Sequence, residues 1–239
     1  MRPFSLFAFL GHLRRRYRRL GVLLLFGIVL PWGVFLKAAS EIEEGEGFPG
    51  DQAILQWLHT HATPGLDQLA LALSRLGGPL PMVGYTGLLF AYLWWRKQHR
   101  QAWFVGLAMG GASTLNLAAK AVLGRPRPAL WPSLAPETSF SFPSGHAMGS
   151  AALALTVGLL LARSRWRGAA WTLGPLLALG VGLSRMYLGV HYPSDVAAGW
   201  VASTGWVLSI YFIFSPYLHA LERLWVTWRR RKAGQQVHH

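Results

Sequence analysis

The sequence predicts an all-α protein in which six transmembrane helices and a few short interfacial helices form a single integral membrane domain over residues 1–239. Three observations predict it. Of the 239 residues 52% are hydrophobic and only 13% charged, about half the roughly 25% charged content of soluble domains. Apolar runs long enough to cross about 30 Å of hydrocarbon at about 1.5 Å per residue recur along the chain, and none is long enough for two crossings. The basic residues are also unevenly placed: 17 of the 23 Lys and Arg fall in four segments that six crossings bring to one face.

In chain order, residues 1–19 join Phe4, Leu6, Phe7, Phe9 and Leu10 to a run of arginines. They read as a helix on the cytoplasmic leaflet or simply as a topology signal. Residues 20–36 form the first span, which is expected to stay as an anchor. Ala38-Ala39-Ser40 resembles a cleavage site, but the preceding run exceeds the usual 7 to 15 residues of a signal sequence. Glu41 to Asp51 is acidic and glycine-rich, a solvated outer loop. Two short apolar patterns follow, Ile54 to Leu58 and Leu66 to Leu76, separated by Pro64-Gly65; they are expected to lie along the outer interface within the segment 39–78. His59 and His61, two residues apart, point to different sides of a helix and are read as packing or solvent-facing rather than as metal ligands.

The second span, 80–95, ends at Trp94-Trp95-Arg96-Lys97, an aromatic belt before a basic turn. The third, 103–123, carries Gly106 and Gly110 at a spacing that suggests close helix packing, then Asn116 and Lys120. Residues 125–143 contain five prolines and are expected to be a non-helical outer loop. Arg125 is expected to face headgroups or substrate. The fourth, fifth and sixth spans are 145–162, 169–187 and 196–214.

The net charge of +14 does not indicate nucleic-acid binding, because the basic residues cluster at one end of the spans. By the positive-inside rule that end is cytoplasmic, with both termini inside. The chain lacks cysteine, which excludes disulfides and thiolate ligands.

Six basic residues lie away from the cytoplasmic clusters, and three of them, Lys120, Arg127 and Arg185, carry the chemistry. His191 and Asp195, four residues apart around Pro193, suit a histidine at a helix entrance with the carboxylate on its first turn. A carboxylate there holds one imidazole nitrogen protonated and leaves the other free to attack. Ser144 and Gly145 begin the fourth span, where a serine caps and backbone N–H groups favour an anion. With Lys120, Arg127, Arg185 and His146 at the same end, the sequence places cations, a helix N-terminus and two histidines around one phosphate-sized site. Ionisable groups at membrane depth are costly unless paired or used.

Lys120-(x6)-Arg127-Pro128, Pro143-Ser144-Gly145-His146 and Ser184-Arg185-(x5)-His191-(x3)-Asp195 resemble, in order and spacing, the three signature motifs of the type 2 phosphatidic acid phosphatase superfamily. The resemblance implies that His191 attacks phosphorus to form a phosphohistidine and that Asp195 holds its ring. It implies that His146 protonates the leaving oxygen and later activates water, both histidines titrating near neutrality. Lys120, Arg127, Ser144, Gly145 and Arg185 would then surround the phosphoryl oxygens, with no metal or cofactor required. Bacterial members act on undecaprenyl diphosphate, phosphatidylglycerophosphate, phosphatidic acid or lipid A phosphates at the outer face of the cytoplasmic membrane. The expected partners are therefore a lipid phosphate and membrane lipids, and not nucleic acid. A phosphotransferase with the same motifs, or a lipid-phosphate binder or transporter without turnover, are the alternatives. Trp131 and the short helices are candidates for headgroup selection.

Overall fold

The computed structural model describes residues 21–45 and 47–214. The expected amino-terminal interfacial helix and the basic carboxy-terminal tail lie outside the described residues. Within them are eight helices: α1 (Gly21–Glu43), α2 (Asp51–Thr60), α3 (Pro64–Leu76), α4 (Pro79–Trp95), α5 (His99–Leu123), α6 (Gly145–Leu160), α7 (Arg167–Tyr187) and α8 (Pro193–Phe214).

Three of these, α1, α5 and α8, are each long and apolar enough to cross a membrane, and α3 with α4, bent by 46° at their junction, make a fourth if taken as one. The equal runs expected from the sequence thus become helices of unequal character. Serine capping at Ser144 and the turn after Leu160 limit α6 to 16 residues. α7 has 21 residues, but its glycines, Pro175 and Arg185 dilute its hydropathy. α1 runs on through Glu43, so the acidic segment is partly helical rather than all loop. Its first half contains a π-helical stretch, Leu25–Val29, just before Pro31, whose missing N–H leaves the carbonyl four residues back without its normal donor.

Local chemistry explains the helix ends. Thr63 Oγ1 caps α3 by accepting from Leu66 N at 3.3 Å, with Pro64 at the first helical position. Gly124, at φ 56°, closes α5. Beyond α7 the chain reverses through Gly189 at φ 68°, a left-handed conformation that glycine adopts without strain. The Trp131 ring lies over that glycine, 2.7 Å from where a Cβ would sit.

α6 and α8 form the centre. α8 packs on α1, α5 and α6; α6 packs on α4, α5 and α7; α3 lies along α7. Phe104, Met109, Met148, Val207 and Ile210 fill the space between them. The outward faces stay apolar: Leu80, Leu88, Trp95 and Val122 are all exposed, as expected where hydrocarbon rather than water surrounds the helices. The tightest glycine contact on α5 is at Gly111, where a Cβ would fall 2.1 Å from the Trp206 ring. Gly110 of the expected pair faces open space and only Gly106 packs, against Phe90, because α5 turns the 111 side toward α8.

One close approach fixes the register of the functional end. A Cβ on Gly199 would lie 2.8 Å from the Ser144 carbonyl, and Ser144 N–H donates to the Asp195 carbonyl at 3.0 Å. The first turns of α6 and α8 are thereby held side by side.

Candidate active site

The end of α5, the start of α6, the end of α7 and the start of α8 meet beneath the proline-rich segment 124–144. The basic turns at 96–100 and 163–167 lie at the other ends of these helices. Lys120, Arg127, Ser144, Gly145, His146, Arg185, His191 and Asp195 all gather here.

His191 sits between α7 and α8, 1% exposed. Its Nδ1 is 3.5 Å from Asp195 Oδ2, and Ser141 Oγ bridges them, donating to Asp195 Oδ2 at 2.5 Å and standing 3.4 Å from Nδ1. On the other side of the ring, Nε2 is 3.1 Å from Arg127 Nη1. A guanidinium can only donate, so Nε2 must be the acceptor and the proton belongs on Nδ1, facing the carboxylate. The unprotonated nitrogen therefore points at the cations. Burial pushes the His191 pKa down to about 4 against the raising effect of Asp195, so the imidazole is neutral well below the near-neutral titration expected from sequence.

Asp195 itself is fully buried and heavily bonded. Beyond Ser141, it accepts from Tyr192 N at 2.9 Å and from Arg125 Nη1 at 2.5 Å. Arg125 thus turns inward rather than toward headgroups. Its Nη2 meets Asp51 Oδ2 at 3.0 Å, Nη1 donates to Ser194 Oγ at 2.8 Å, and its guanidinium lies 4.1 Å from the Tyr192 ring centre. Asp51, at the start of α2, also accepts from Ser194 N at 3.0 Å and Ser194 Oγ at 2.5 Å. Two buried carboxylates close by make an inward guanidinium more favourable than a solvated one. This network ties the start of α2 to the first turn of α8.

The cations form a second layer. Arg127 donates from Nε to Ser139 O at 2.6 Å, from Nη1 to Val190 O at 2.7 Å, and from Nη2 to Ser139 Oγ at 3.0 Å and Glu137 Oε2 at 2.9 Å. Arg185, 1% exposed, reaches Glu137 Oε1 and Ser74 Oγ, while its Nε has no hydrogen-bond partner among the described residues. Lys120 Nζ donates to the Phe140 carbonyl and, at 3.3 Å, to Ser139 Oγ.

Ser144 Oγ caps α6 by accepting from Ala147 N at 3.5 Å, which occupies a lone pair and leaves the O–H free to donate. The Gly145 and His146 amides, at the first helical positions, have no carbonyl four residues back within the helix. Asn116 Nδ2 donates to Pro143 O at 3.0 Å, and its Oδ1 would be 3.0 Å from a Cβ on Gly145, so glycine permits this packing. Among the described residues no group of three or more His, Cys, Asp or Glu side chains is placed to share a metal ion.

Sequence reasoning missed Glu137, Ser141 and Asp51. Glu137 links Arg127, Arg185 and, at 3.7 Å, His146 Nδ1. Burial raises its pKa, but Arg185 and Arg127 outweigh that and hold it below the ordinary carboxylate range. One signal was present: between Asp67 and Glu222 the only acidic residues are Glu137 and Asp195. His59 is a packing histidine as expected, its ring stacked on Trp131 with centroids 4.1 Å apart.

A family profile described as the PAP2 superfamily matches residues 101–217, which include every one of these motif positions. The chain belongs to the PAP2 superfamily. It is 29% identical over 202 residues to phosphatidylglycerophosphatase B of Bacillus subtilis, covering 79% of this chain and 93% of that one. It is 29% identical over 198 residues to an undecaprenyl-diphosphatase of Sulfolobus acidocaldarius, covering 81% and 89%. The crystal structure of a transmembrane PAP2-type phosphatidylglycerolphosphate phosphatase from Bacillus subtilis superposes with a TM-score of 0.66 at 26% identity, over 82% of this chain and 97% of that one. As a PAP2 protein this chain is a multi-pass membrane lipid phosphatase.

Proposed function

We propose that the protein removes the terminal phosphate of a lipid phosphate or diphosphate, undecaprenyl diphosphate and phosphatidylglycerophosphate foremost, through a phosphohistidine on His191. The observation that carries this reading is the hydrogen bond between Arg127 and His191 Nε2, which leaves the attacking nitrogen unprotonated and facing the cations. The relatives' names support the two lipid classes.

In this mechanism the Nε2 lone pair of His191 forms a bond to phosphorus while the bond from phosphorus to the lipid oxygen breaks. Asp195 and Ser141 keep the proton on Nδ1 and stabilise the positive ring that results. Arg127, Arg185, Lys120, the Ser144 hydroxyl and the α6 amides of Gly145 and His146 take the phosphoryl oxygens, where charge accumulates. His146 gives a proton to the leaving lipid oxygen and later takes one from the water that cleaves the phosphohistidine, releasing inorganic phosphate and restoring both histidines.

The whole chain then acts as one membrane domain with six crossings, α3 contributing with α4 to a bent segment. The site opens at the outer face of a bacterial cytoplasmic membrane and the basic turns face the cytoplasm, following the positive-inside rule. An acyl or prenyl chain stays in the bilayer beside the helices. Trp131, stacked on His59, and the helices α2 and α3 flank the site and contribute to headgroup choice. Exchanging that segment for a relative's should reorder substrate preference.

The test is phosphate release by the purified protein in detergent with chelator present, on four lipids: undecaprenyl diphosphate, phosphatidylglycerophosphate, phosphatidic acid and a lipid A phosphate. The expected result is turnover that disappears in His191→Ala. Activity surviving that substitution would remove His191 as nucleophile.

A further inference from the structure

Glu137 is the residue at this site that the motifs do not account for. It lies on the helix-free segment 124–144, it is 27% exposed, and it binds the cations that the hydrolytic reading assigns to phosphate. One oxygen meets Arg185 and stands 3.7 Å from His146 Nδ1; the other accepts from Arg127 Nη2 at 2.9 Å. A carboxylate that spans two guanidiniums with a histidine at its side presents the same charge and oxygen spacing as one edge of a phosphoryl group.

The donors available to an incoming phosphate are limited. Arg127 carries five N–H groups, and they are shared among Ser139, Val190, His191, Phe140 and Glu137. A phosphoryl group in line with His191 Nε2 takes the lone pair that now accepts from Arg127 Nη1, which frees one N–H, and any further bond to Arg127 has to displace another partner. The carbonyls of Ser139 and Val190 are fixed in the backbone. Glu137 is a side chain with access to water, so it can leave and keep its charge solvated. Arg185 Nε, buried and without a partner among the described residues, adds a donor that Glu137 does not use and a four-oxygen anion could.

We propose that Glu137 is a resident anion that competes with the substrate's phosphoryl group for Arg127 and Arg185, and so sets how tightly the site takes phosphate. This rests on the phosphatase reading of the same site. Until phosphate arrives, Glu137 keeps two buried guanidiniums from facing each other unpaired. When phosphate binds, it exchanges places with the carboxylate, which turns out toward solvent.

The experiment measures binding of inorganic phosphate to the full-length protein in detergent, by phosphorus NMR line broadening, and competitive inhibition of lipid turnover by the same ion. Glu137→Gln keeps the shape and removes the competing charge. The expected result is a Kd and an inhibition constant lower on the order of tenfold, with KM for lipid falling in parallel. A residue that only props the cradle would move all three the other way, and unchanged or weaker phosphate binding by the folded variant would overturn the proposal. If Glu137→Gln does not fold, hydrogen exchange on the unmodified protein decides. Amides of 137–141 should exchange faster with saturating phosphate, and slower or unchanged exchange would refute the displacement. Phosphate binding is read without turnover, so a failure to hydrolyse any lipid would count against the phosphatase reading alone.

Discussion

Removing Asp51 tests whether the start of α2 is fastened to the first turn of α8 or merely lies over it. Asp51 is 5% exposed, accepts from both polar hydrogens of Ser194 at 3.0 and 2.5 Å, and pairs with Arg125 at 3.0 Å. In Asp51→Ala the Arg125 guanidinium stays buried with only one carboxylate, and the Ser194 amide loses its acceptor. Breaking one side of a buried ion pair costs about 3–5 kcal/mol. For chains of this length that corresponds to a fall in melting temperature of roughly 6–20 °C. Asp51→Asn keeps an acceptor oxygen and loses only the charge, so its effect should be smaller, about 1–3 kcal/mol. The internal control is the Lys37–Glu41 pair, 3.3 Å apart with the lysine 80% exposed. Lys37→Ala should shift stability by less than about 1 kcal/mol. The assay is thermal unfolding in detergent followed by the emission of the 12 tryptophans. If Asp51→Ala melts within about 2 °C of the parent, the buried network carries no more stability than the surface pair and the reasoning fails.

Three further outcomes follow from the same geometry. With the pKa of His191 held near 4 instead of 6.5, the acid limb of kcat/KM assigned to the nucleophile should fall near pH 4. The sign for stability is the same: the unfolded chain takes the proton first, so stability should decline as pH drops from about 6.5 toward 4 and level off below, measurable by melting across that range. Ser141→Ala removes the donor to Asp195 at 2.5 Å and should lower kcat about tenfold with little change in KM, since the ring loses orientation and the cations are untouched; an unchanged kcat would make Ser141 a packing residue. Gly199→Ala places a methyl 2.8 Å from the Ser144 carbonyl, which as backbone cannot rotate away, so it should destabilise by about 1–3 kcal/mol and reduce turnover by shifting His146 from His191; full activity would mean the two helix starts need no fixed register.

The positions of the motif residues were legible because each lies at a helix end, and helix ends follow from where apolar runs stop. Lys120 falls one turn before the glycine that closes α5, Ser144 caps α6, Arg185 ends α7, and Asp195 occupies the first turn of α8. Counting crossings is enough to bring those four ends together. The uneven lengths of the helices were not legible, since hydropathy over a run does not say how far a helix bends or which glycine meets its neighbour. Gly106 and Gly110 satisfied a spacing rule, yet the contact formed at Gly111 because helix rotation, not spacing, decides which side faces Trp206.

Arg125 and Glu137 escaped for a different reason. Both lie in a segment without periodicity, where a charged side chain in a membrane protein's outer loop reads as solvated by default. Their partners are set by tertiary closure: Asp51 is 74 residues from Arg125, and Arg185 is 48 from Glu137. The scarcity of acids argues the other way. Lys120, Arg125, Arg127 and Arg185 converge at one end of the molecule, largely removed from water, and buried cations require nearby carboxylates. With Glu137 and Asp195 the only acids across that whole stretch and Asp51 on the adjoining segment, each acid was bound to be recruited. Asp51 and Asp195 divide Arg125 between them, and Glu137 is left to Arg127 and Arg185. That division makes one arginine structural and leaves the other two free to change partner, a distinction the motif spacing by itself does not contain.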